Sequence, residues 1–327
     1  MAFDTRSIFT LASEAEFHAK TMELFAFQYQ NNPVYAEFCD HLGVVPKKVE
    51  QIDQIPFLPI EFFKSKTIQT TGMPAEITFT SSGTTGSVTS RHHVADLALY
   101  EMGFRKAFER FYGPLTGYCI LALLPSYLER EGSSLVYMAQ DLISGSKHPE
   151  SGFYLNDLEG LKERLQQLES HGQKTLLLGV TYALLDLVEA FPFQLKHTIV
   201  METGGMKGKR KELVREALHA QLCAGFGVDA IHSEYGMTEL LSQAYSDGLG
   251  IFHCPPWMRV LIRDTEDPLS YQALGKTGGI NIIDLANAYS CPFIATQDLG
   301  KGYEDGSFEV LGRFDHADIR GCNLMVV

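Results

Sequence analysis

The chain has few basic residues, no paired cysteine motif and no long apolar run. Its 327 residues include 27 Lys+Arg against 40 Asp+Glu, a formal net charge of −13, which opposes broad binding to nucleic acid or anionic membranes. No stretch reaches the roughly 18–20 apolar residues that span a bilayer, and the start lacks a signal-peptide pattern. The six cysteines form no CxxC pair, which argues against a disulfide framework or a zinc knuckle. We therefore expect a cytoplasmic protein with reduced thiols.

The chain does contain the composition of a globular protein, with 45% apolar residues, 29 Gly and 13 Pro. Residues 1–50 are predicted to form a helical N-terminal cap. Ser13 and Glu16 have capping-box spacing, and Pro33 should end the first helix. A second helix should run from about Tyr35 to Gly43.

Residues 51–250 alternate between short apolar runs and amphipathic stretches, which predicts an α/β nucleotide-binding core with a mixed or parallel sheet. Residues 251–327 read as a β-rich subdomain with Gly- and Asp-rich turns. The expected strands lie at 77–79, 119–124, 175–180, 198–201, 260–262, 280–283, 293–295 and 308–310, and the expected helices at 95–111, 157–170, 182–190 and 208–220.

A Ser/Thr/Gly loop directly follows the first predicted strand of the core. Its glycines permit a tight turn that presents N–H groups, and its hydroxyls suit a polyphosphate. It is not a Walker A loop, because no Gly-Lys-Ser/Thr closes it; an ordinary surface turn is the alternative. The loop residues are Ser81, Ser82, Gly83, Thr84, Thr85 and Gly86.

Two further segments contain residues suited to a nucleotide, and the first follows a predicted strand, where sheet enzymes place ligand-binding loops. The first is Gly204, Gly205 and Met206; the second is Tyr235, Gly236, Met237, Thr238 and Glu239. In the second segment an aromatic ring can stack on a purine, a hydroxyl can reach a phosphate and a carboxylate can hold magnesium. Ordinary strand-to-helix turns are the alternative for both.

A fourth cluster lies near the C-terminus. Asp298 has the acceptor oxygens to bind both hydroxyls of a ribose, and Arg313 can donate to a ribose or a phosphate. Taken singly, these residues belong to turns of a β-meander. The order and spacing of all four clusters favour a nucleotide site.

With these motifs the sequence resembles the acyl-adenylate-forming (ANL) superfamily from about residue 55 onward. Within it the chain is most similar to the LuxE-type acyl-protein synthetases and to the phenylacetate–CoA ligase group, whose pattern residues 248–253 fit. The resemblance implies the large domain of that fold, with mixed sheets flanked by helices. It also implies ATP and magnesium as cofactors, with Glu239 on the metal. Gln297 departs from the family, which usually has glycine there.

The small mobile C-terminal domain of the superfamily, which supplies a catalytic lysine, is expected to be absent, since the chain ends soon after the hinge motif around Arg313. LuxE-type enzymes also lack that domain. The resemblance then implies a ligase that activates a fatty or other carboxylic acid as acyl-AMP and forms a thioester on a cysteine near its own C-terminus. Cys322 stands at that position, so the implied catalytic residues are Thr238, Glu239 and Cys322.

Three alternatives remain open at this point. Cys322 can be a small core residue, the enzyme can be an acyl- or aryl-CoA ligase that uses a separately encoded domain, or the chain can be a non-catalytic subunit. The expected partners are the acid and an acyl-accepting protein such as a reductase or carrier. Cys119 and Cys291 should be buried, and His92-His93 lacks a second pair at metal-ligand spacing.

Overall fold

The computed structural model describes residues 3–81, 88–124, 132–204, 210 and 213–314. The α-helices of these residues are α1 (Glu14–Asn31), α2 (Pro33–His41), α3 (Phe62–Ser65), α4 (Leu97–Tyr112), α5 (Ser134–Ser146), α6 (Leu158–Ser170), α7 (Thr181–Ala190) and α8 (Arg215–Phe226). The strands are β1 (Leu58–Pro59), β2 (Ile77–Thr80), β3 (Arg91–Val94), β4 (Cys119–Leu123), β5 (Gly152–Phe153), β6 (Thr175–Val180), β7 (Thr198–Thr203), β8 (His232–Tyr235), β9 (Ala244–Ser246), β10 (Ile251–Phe252), β11 (Met258–Arg263), β12 (Gly278–Asp284), β13 (Phe293–Gly302) and β14 (Phe308–Arg313).

One sheet has the order β5-β4-β6-β7-β8-β9 and is parallel up to β8. Strands β4 and β6 are buried along their whole length, as is typical of parallel strands covered by helices on both faces. Because the carboxyl ends of parallel strands meet at one edge, the segments after β7 and β8 lie side by side, with Thr203 paired to Glu234.

A second sheet, of order β10-β14-β13-β12-β11, is antiparallel. Strand β1 joins it parallel to β13, so the segment before the core is part of the C-terminal sheet. The N-terminal helices pack on the same sheet. Phe25 contacts Phe293 edge to face at 6.2 Å, and Gln28 Nε2 donates a 2.6 Å hydrogen bond to the Ala288 carbonyl.

A short hairpin of β2 and β3 carries the Ser/Thr/Gly loop at its tip. The hairpin pairing continues beyond the strands, since Ser81 N–H donates to the Ser90 carbonyl at 3.1 Å and the Ser90 N–H donates to Ser81 Oγ at 2.9 Å.

The two large sheets meet at the buried carboxylate of Asp284, at the end of β12. Its Oδ2 accepts hydrogen bonds from the N–H groups of Leu241 (2.8 Å) and Ser242 (3.0 Å), and its Oδ1 accepts from Ser242 Oγ at 2.6 Å. Trp257 Nε1 donates to the same hydroxyl at 3.0 Å. This network ties the segment after β8 to the second sheet.

The α/β fold class is confirmed, and the expected strands all occur. The structure also confirms the cap helices, although the Glu16 carboxylate accepts from the Ala12 N–H rather than from the N-cap residue. The helix expected at 208–220 is wrong in its bounds: α8 begins at Arg215, after Val214 in extended conformation. Helix α5 was not predicted. The domain boundaries at residues 50 and 250 stay a prediction.

None of the helices in the described ranges is long and apolar enough to cross a membrane.

Candidate active site

Hydrogen bonds between the two large sheets join three residues that lie far apart in the sequence. Tyr235, the last residue of β8, donates from Oη to Asp298 Oδ2 at 2.8 Å. Arg313 lies opposite Asp298 in the β13–β14 register and donates from Nε to Asp298 Oδ1 at 3.2 Å. The Asp298 side chain is 11% exposed and that of Arg313 is 75% exposed, so the carboxylate is anchored while the guanidinium is free to meet a ligand.

The ring of Tyr235 is fixed by aromatic packing as well as by its hydroxyl. It contacts Phe252 and Phe308 at centroid distances of 5.8 and 5.5 Å. Burial, followed by the neighbouring Asp298, raises the pKa of Tyr235 well above its usual range. The hydroxyl therefore stays protonated and donates to the carboxylate.

The backbone before Asp298 is held by Arg263, a residue that the sequence analysis missed. Its buried guanidinium donates to the Thr296 carbonyl at 2.5 Å and to the Ile280 carbonyl at 2.8 Å. Thr296 Oγ1 in turn accepts the Asp298 N–H at 3.1 Å. Gln297, the departure from the family pattern, donates to the Glu61 carboxylate. A lone arginine directly after a predicted strand gave no signal of this role.

Thr238 and Glu239 follow Tyr235 in the loop between β8 and β9. Thr238 is half-buried, whereas Glu239 is 5% exposed. Burial raises the pKa of Glu239, and a hydrogen bond from the Ser90 side chain opposes that shift. Because Ser90 belongs to the β2–β3 hairpin, the carboxylate lies beside the base of the Ser/Thr/Gly loop.

A buried histidine and asparagine hold the backbone of this loop. His92 on β3 places Nδ1 2.8 Å from the Thr238 carbonyl oxygen and Nε2 3.0 Å from Asn287 Oδ1. Asn287 Nδ2 donates to the Glu239 carbonyl at 2.8 Å. Burial lowers the pKa of His92 to about 4, so the ring is neutral at physiological pH. His92, examined in the sequence only as a metal ligand, is thus a positioning residue for the loop.

Replacing His92 with leucine should lower the turnover of the adenylation reaction proposed below by about tenfold to a hundredfold, because small displacements of reacting groups are costly. The measurement is kcat and KM in pyrophosphate exchange. His92→Asn, which keeps a donor, should recover part of the loss. His93→Leu is the matched control, since His93 on the same strand bonds Thr78 instead. Equal losses in the two leucine variants would contradict the positioning role.

The other predicted site residues that the structure describes follow strands β2, β7 and β8. Gly204, with a φ of +67° that favours glycine, follows β7 next to β8, and its carbonyl accepts from Thr181 Oγ1 at 2.7 Å. Gly236 and Met237 lie between Tyr235 and Thr238, and Ser81 lies at the start of the hairpin loop. The predicted residues that lie outside the described ranges are Ser82, Gly83, Thr84, Thr85, Gly86, Gly205, Met206 and Cys322.

A polar group that the sequence analysis missed occupies the other face of β8. Side chains alternate along a strand, so Glu234 points away from the face that carries Tyr235. It is 9% exposed and accepts a 2.5 Å hydrogen bond from Thr203 Oγ1. Burial raises the pKa of Glu234 to about 7, a shift that the Thr203 bond opposes and nearby Glu202 reinforces. No strand is predicted from sequence at these residues, so nothing in the sequence indicated this role.

This raised pKa gives the stability of the protein a defined pH dependence. Glu234 contributes stability that is present below its ordinary pKa of 4.5 and is lost as the pH rises towards about 7. Glutamine resembles the protonated acid, so Glu234→Gln should gain about 3 kcal/mol relative to the wild type over that interval. The measurement is the free energy of unfolding of both proteins in urea, at the lower and the upper end of this pH interval. A difference that does not change with pH would contradict the assignment.

No protein-family model matches the chain. A 2-hydroxyisobutyryl-CoA ligase in complex with 2-HIB-AMP matches with a TM-score of 0.67 at 11% identity, over 96% of this chain and 72% of that one. ATP-bound MatB from Rhodopseudomonas palustris matches with a TM-score of 0.55 at 18% identity, over 72% of this chain and 47% of that one. The chain therefore aligns with about half the length of MatB.

The chain has the fold of the adenylate-forming enzymes. Two curated relatives are similar in sequence, and both are named long-chain-fatty-acid–luciferin-component ligase. The protein from Vibrio harveyi is 25% identical in an alignment that covers 92% of this chain and 84% of the relative. The protein from Aliivibrio fischeri is 23% identical in an alignment that covers 92% of this chain and 85% of the relative. The expected resemblance to LuxE-type ligases, and with it the ligase class, is confirmed.

Proposed function

We propose that this protein uses ATP and Mg²⁺ to activate a carboxylic acid, a fatty acid in the first instance, as acyl-AMP, and then passes the acyl group to a cysteine. The hydrogen-bonded cluster of Tyr235, Asp298 and Arg313 carries the proposal, because it joins motifs from two sheets. The names of the two curated relatives support the fatty acid and the ligase class.

In the proposed complex the cluster binds the nucleoside. The Tyr235 ring lies against the base, and Asp298 accepts hydrogen bonds from the ribose hydroxyls. Arg313, whose side chain is largely exposed, swings from Asp298 to a ribose or phosphate oxygen. The backbone N–H groups and hydroxyls of residues 81–86 surround the outer phosphates, and Thr238 donates to the α-phosphate.

Glu239 fits the metal that this chemistry requires. Magnesium prefers carboxylate oxygens and usually shares them with substrate phosphates. Burial disfavours the charged form of Glu239, and a bound cation restores it. When bound, the metal neutralises negative charge that develops on the phosphates.

The first half-reaction joins the acid to the nucleotide. A carboxylate oxygen of the acid forms a bond to the α-phosphorus while the bond between that phosphorus and pyrophosphate breaks, and pyrophosphate leaves with the electron pair. Residues that hold the two reactants in line supply much of the rate. In the second half-reaction the thiolate of Cys322 attacks the acyl carbon, AMP leaves and a thioester forms.

Exchange of labelled pyrophosphate into ATP, across a panel of acids, tests the first half-reaction directly. We expect exchange that depends on both the acid and Mg²⁺. Absence of exchange with every acid, from short to long chains, would contradict the proposal and would favour a non-catalytic role.

A further inference from the structure

Three polar side chains converge beside Gly236, on the face of β8 that is opposite the nucleoside cluster. A Cβ atom on Gly236 would collide with Glu234 Oε1 and would lie 3.3 Å from Gln243 Cγ. Thr203 reaches the same place through its hydrogen bond to Glu234. All three residues are at least nine-tenths buried. The group therefore forms a built polar site, which we name the Glu234 cluster (Thr203, Glu234 and Gln243).

The hydrogen bonding of the Glu234 cluster is incomplete. Gln243 Oε1 is buried and has no hydrogen-bond partner. Glu234 accepts one bond from Thr203, which leaves further lone pairs on its carboxylate. Buried polar groups are nearly always paired, so each unpaired one calls for an explanation. When Glu234 is ionised, both open positions are acceptors, and a donor would complete the cluster.

The position of the cluster indicates that the acid substrate supplies this donor. Tyr235 takes one face of β8, and the reacting carboxylate must approach the α-phosphate next to Gly236 and Thr238. We place the rest of the acid on the opposite face, with Glu234 immediately before Tyr235. Tyr245 lies directly opposite Glu234 in the β8–β9 pairing and extends this face with an aromatic surface. A substituent near the carboxyl group of the acid would meet the open acceptors.

We propose that the Glu234 cluster binds a hydrogen-bond donor, a hydroxyl or an amino group, carried by the acid close to its carboxyl group. This inference rests on the proposed adenylation and narrows its substrate class from carboxylic acids in general to hydroxy or amino acids. The cluster then determines which acids the enzyme prefers. A site built to hydrogen-bond a substituent discriminates strongly against the analogue that lacks it, because its own buried groups are left unpaired.

Pyrophosphate exchange with matched acids tests the inference. At each of two chain lengths, a short and a long one, the unsubstituted acid is compared with its 2-hydroxy, 3-hydroxy, 2-amino and 3-amino derivatives. For the wild type we expect at least one derivative to exceed the unsubstituted acid in kcat/KM by about tenfold or more. The hydroxy and amino arms identify the donor.

Two variants locate the preference in the cluster. Gln243→Leu removes the unpaired acceptor, and Glu234→Gln keeps the volume but exchanges one acceptor oxygen for a donor. Each should reduce the ratio of kcat/KM values between substituted and unsubstituted acid by about tenfold. Gln140→Leu, at an exposed position on α5, is the matched control and should leave the ratio unchanged.

The results that would contradict this inference differ from those that would contradict the adenylation proposal. Exchange that favours unsubstituted acids, or a ratio that neither cluster variant changes, would overturn this inference and leave the adenylation proposal standing. Absence of exchange with every acid would remove the adenylation proposal, and this inference with it.

Discussion

The Glu239→Gln protein should lose pyrophosphate exchange by about a hundredfold or more at a magnesium concentration that saturates the wild type. Glutamine has nearly the volume of glutamate and keeps a carbonyl oxygen, so the fold and the Ser90 contact can persist. What it lacks is the negative charge that holds the cation beside the phosphates, and preorganised electrostatic groups of this kind are commonly worth a hundredfold to a thousandfold in rate.

The raised pKa of Glu239 allows a second measurement, the pH dependence of Mg²⁺ binding. Because burial raises that pKa, the metal must displace a proton from a growing fraction of the molecules as the pH falls. The apparent affinity for Mg²⁺ should therefore rise as the pH increases through the raised pKa, and the variant should show no such rise. Glu163→Gln, at an exposed position on α6, is the matched control. Wild-type exchange by Glu239→Gln would exclude the carboxylate as a metal ligand.

The parts of the fold that could be predicted from sequence are those whose signal is local. Buried parallel strands such as β4 and β6 are continuous apolar runs, and α1 begins at a Ser N-cap and is followed by Pro33. Helix α5 also has a Ser N-cap, with buried residues at Met138, Ala139 and Leu142. This spacing is also a local signal of an amphipathic helix.

Local sequence patterns do not predict where α8 begins or that β1 pairs with β13. The basic residues before Arg215 resemble a helix start, but the chain enters α8 from an extended Val214. Strand β1 has two residues, and its partner Ile294 lies far along the chain. Such pairings are decided by tertiary packing, which no short window of sequence contains.

The residues of the candidate site also differ in whether the sequence alone could identify them. Motif residues such as Tyr235 and Asp298 could be predicted because their order and spacing match a known family. His92 and Arg263 could not, because each acts through a contact with a distant segment. A histidine on a strand looks the same in sequence whether it binds a metal, fills a core or holds the carbonyl of Thr238.

The second half-reaction predicts that one cysteine carries the acyl group. Only a thiolate attacks an acyl-adenylate efficiently, and burial in apolar surroundings makes thiolates rare. Burial raises the pKa of each of the five cysteines that the structure describes: Cys39 to about 12, Cys119 to about 11, Cys254 to about 12, and Cys223 and Cys291 in the same direction. The expected burial of Cys119 and Cys291 is confirmed. These five are poor nucleophiles, which leaves Cys322 of the six as the proposed acceptor.

Cys322→Ser should therefore retain pyrophosphate exchange within about twofold of the wild type and lose the acyl-enzyme completely, because adenylation does not use the thiol whereas the thioester requires it. The measurement is mass spectrometry of the protein after incubation with ATP, Mg²⁺ and the best acid, with hydroxylamine release to identify a thioester. Cys223→Ser, at a half-buried position on α8, is the matched control and should acylate normally. An acylated Cys322→Ser protein would place the acyl group elsewhere. Formation of acyl-CoA by that variant when CoA is supplied would instead identify the soluble thiol as the acceptor and make the enzyme a CoA ligase.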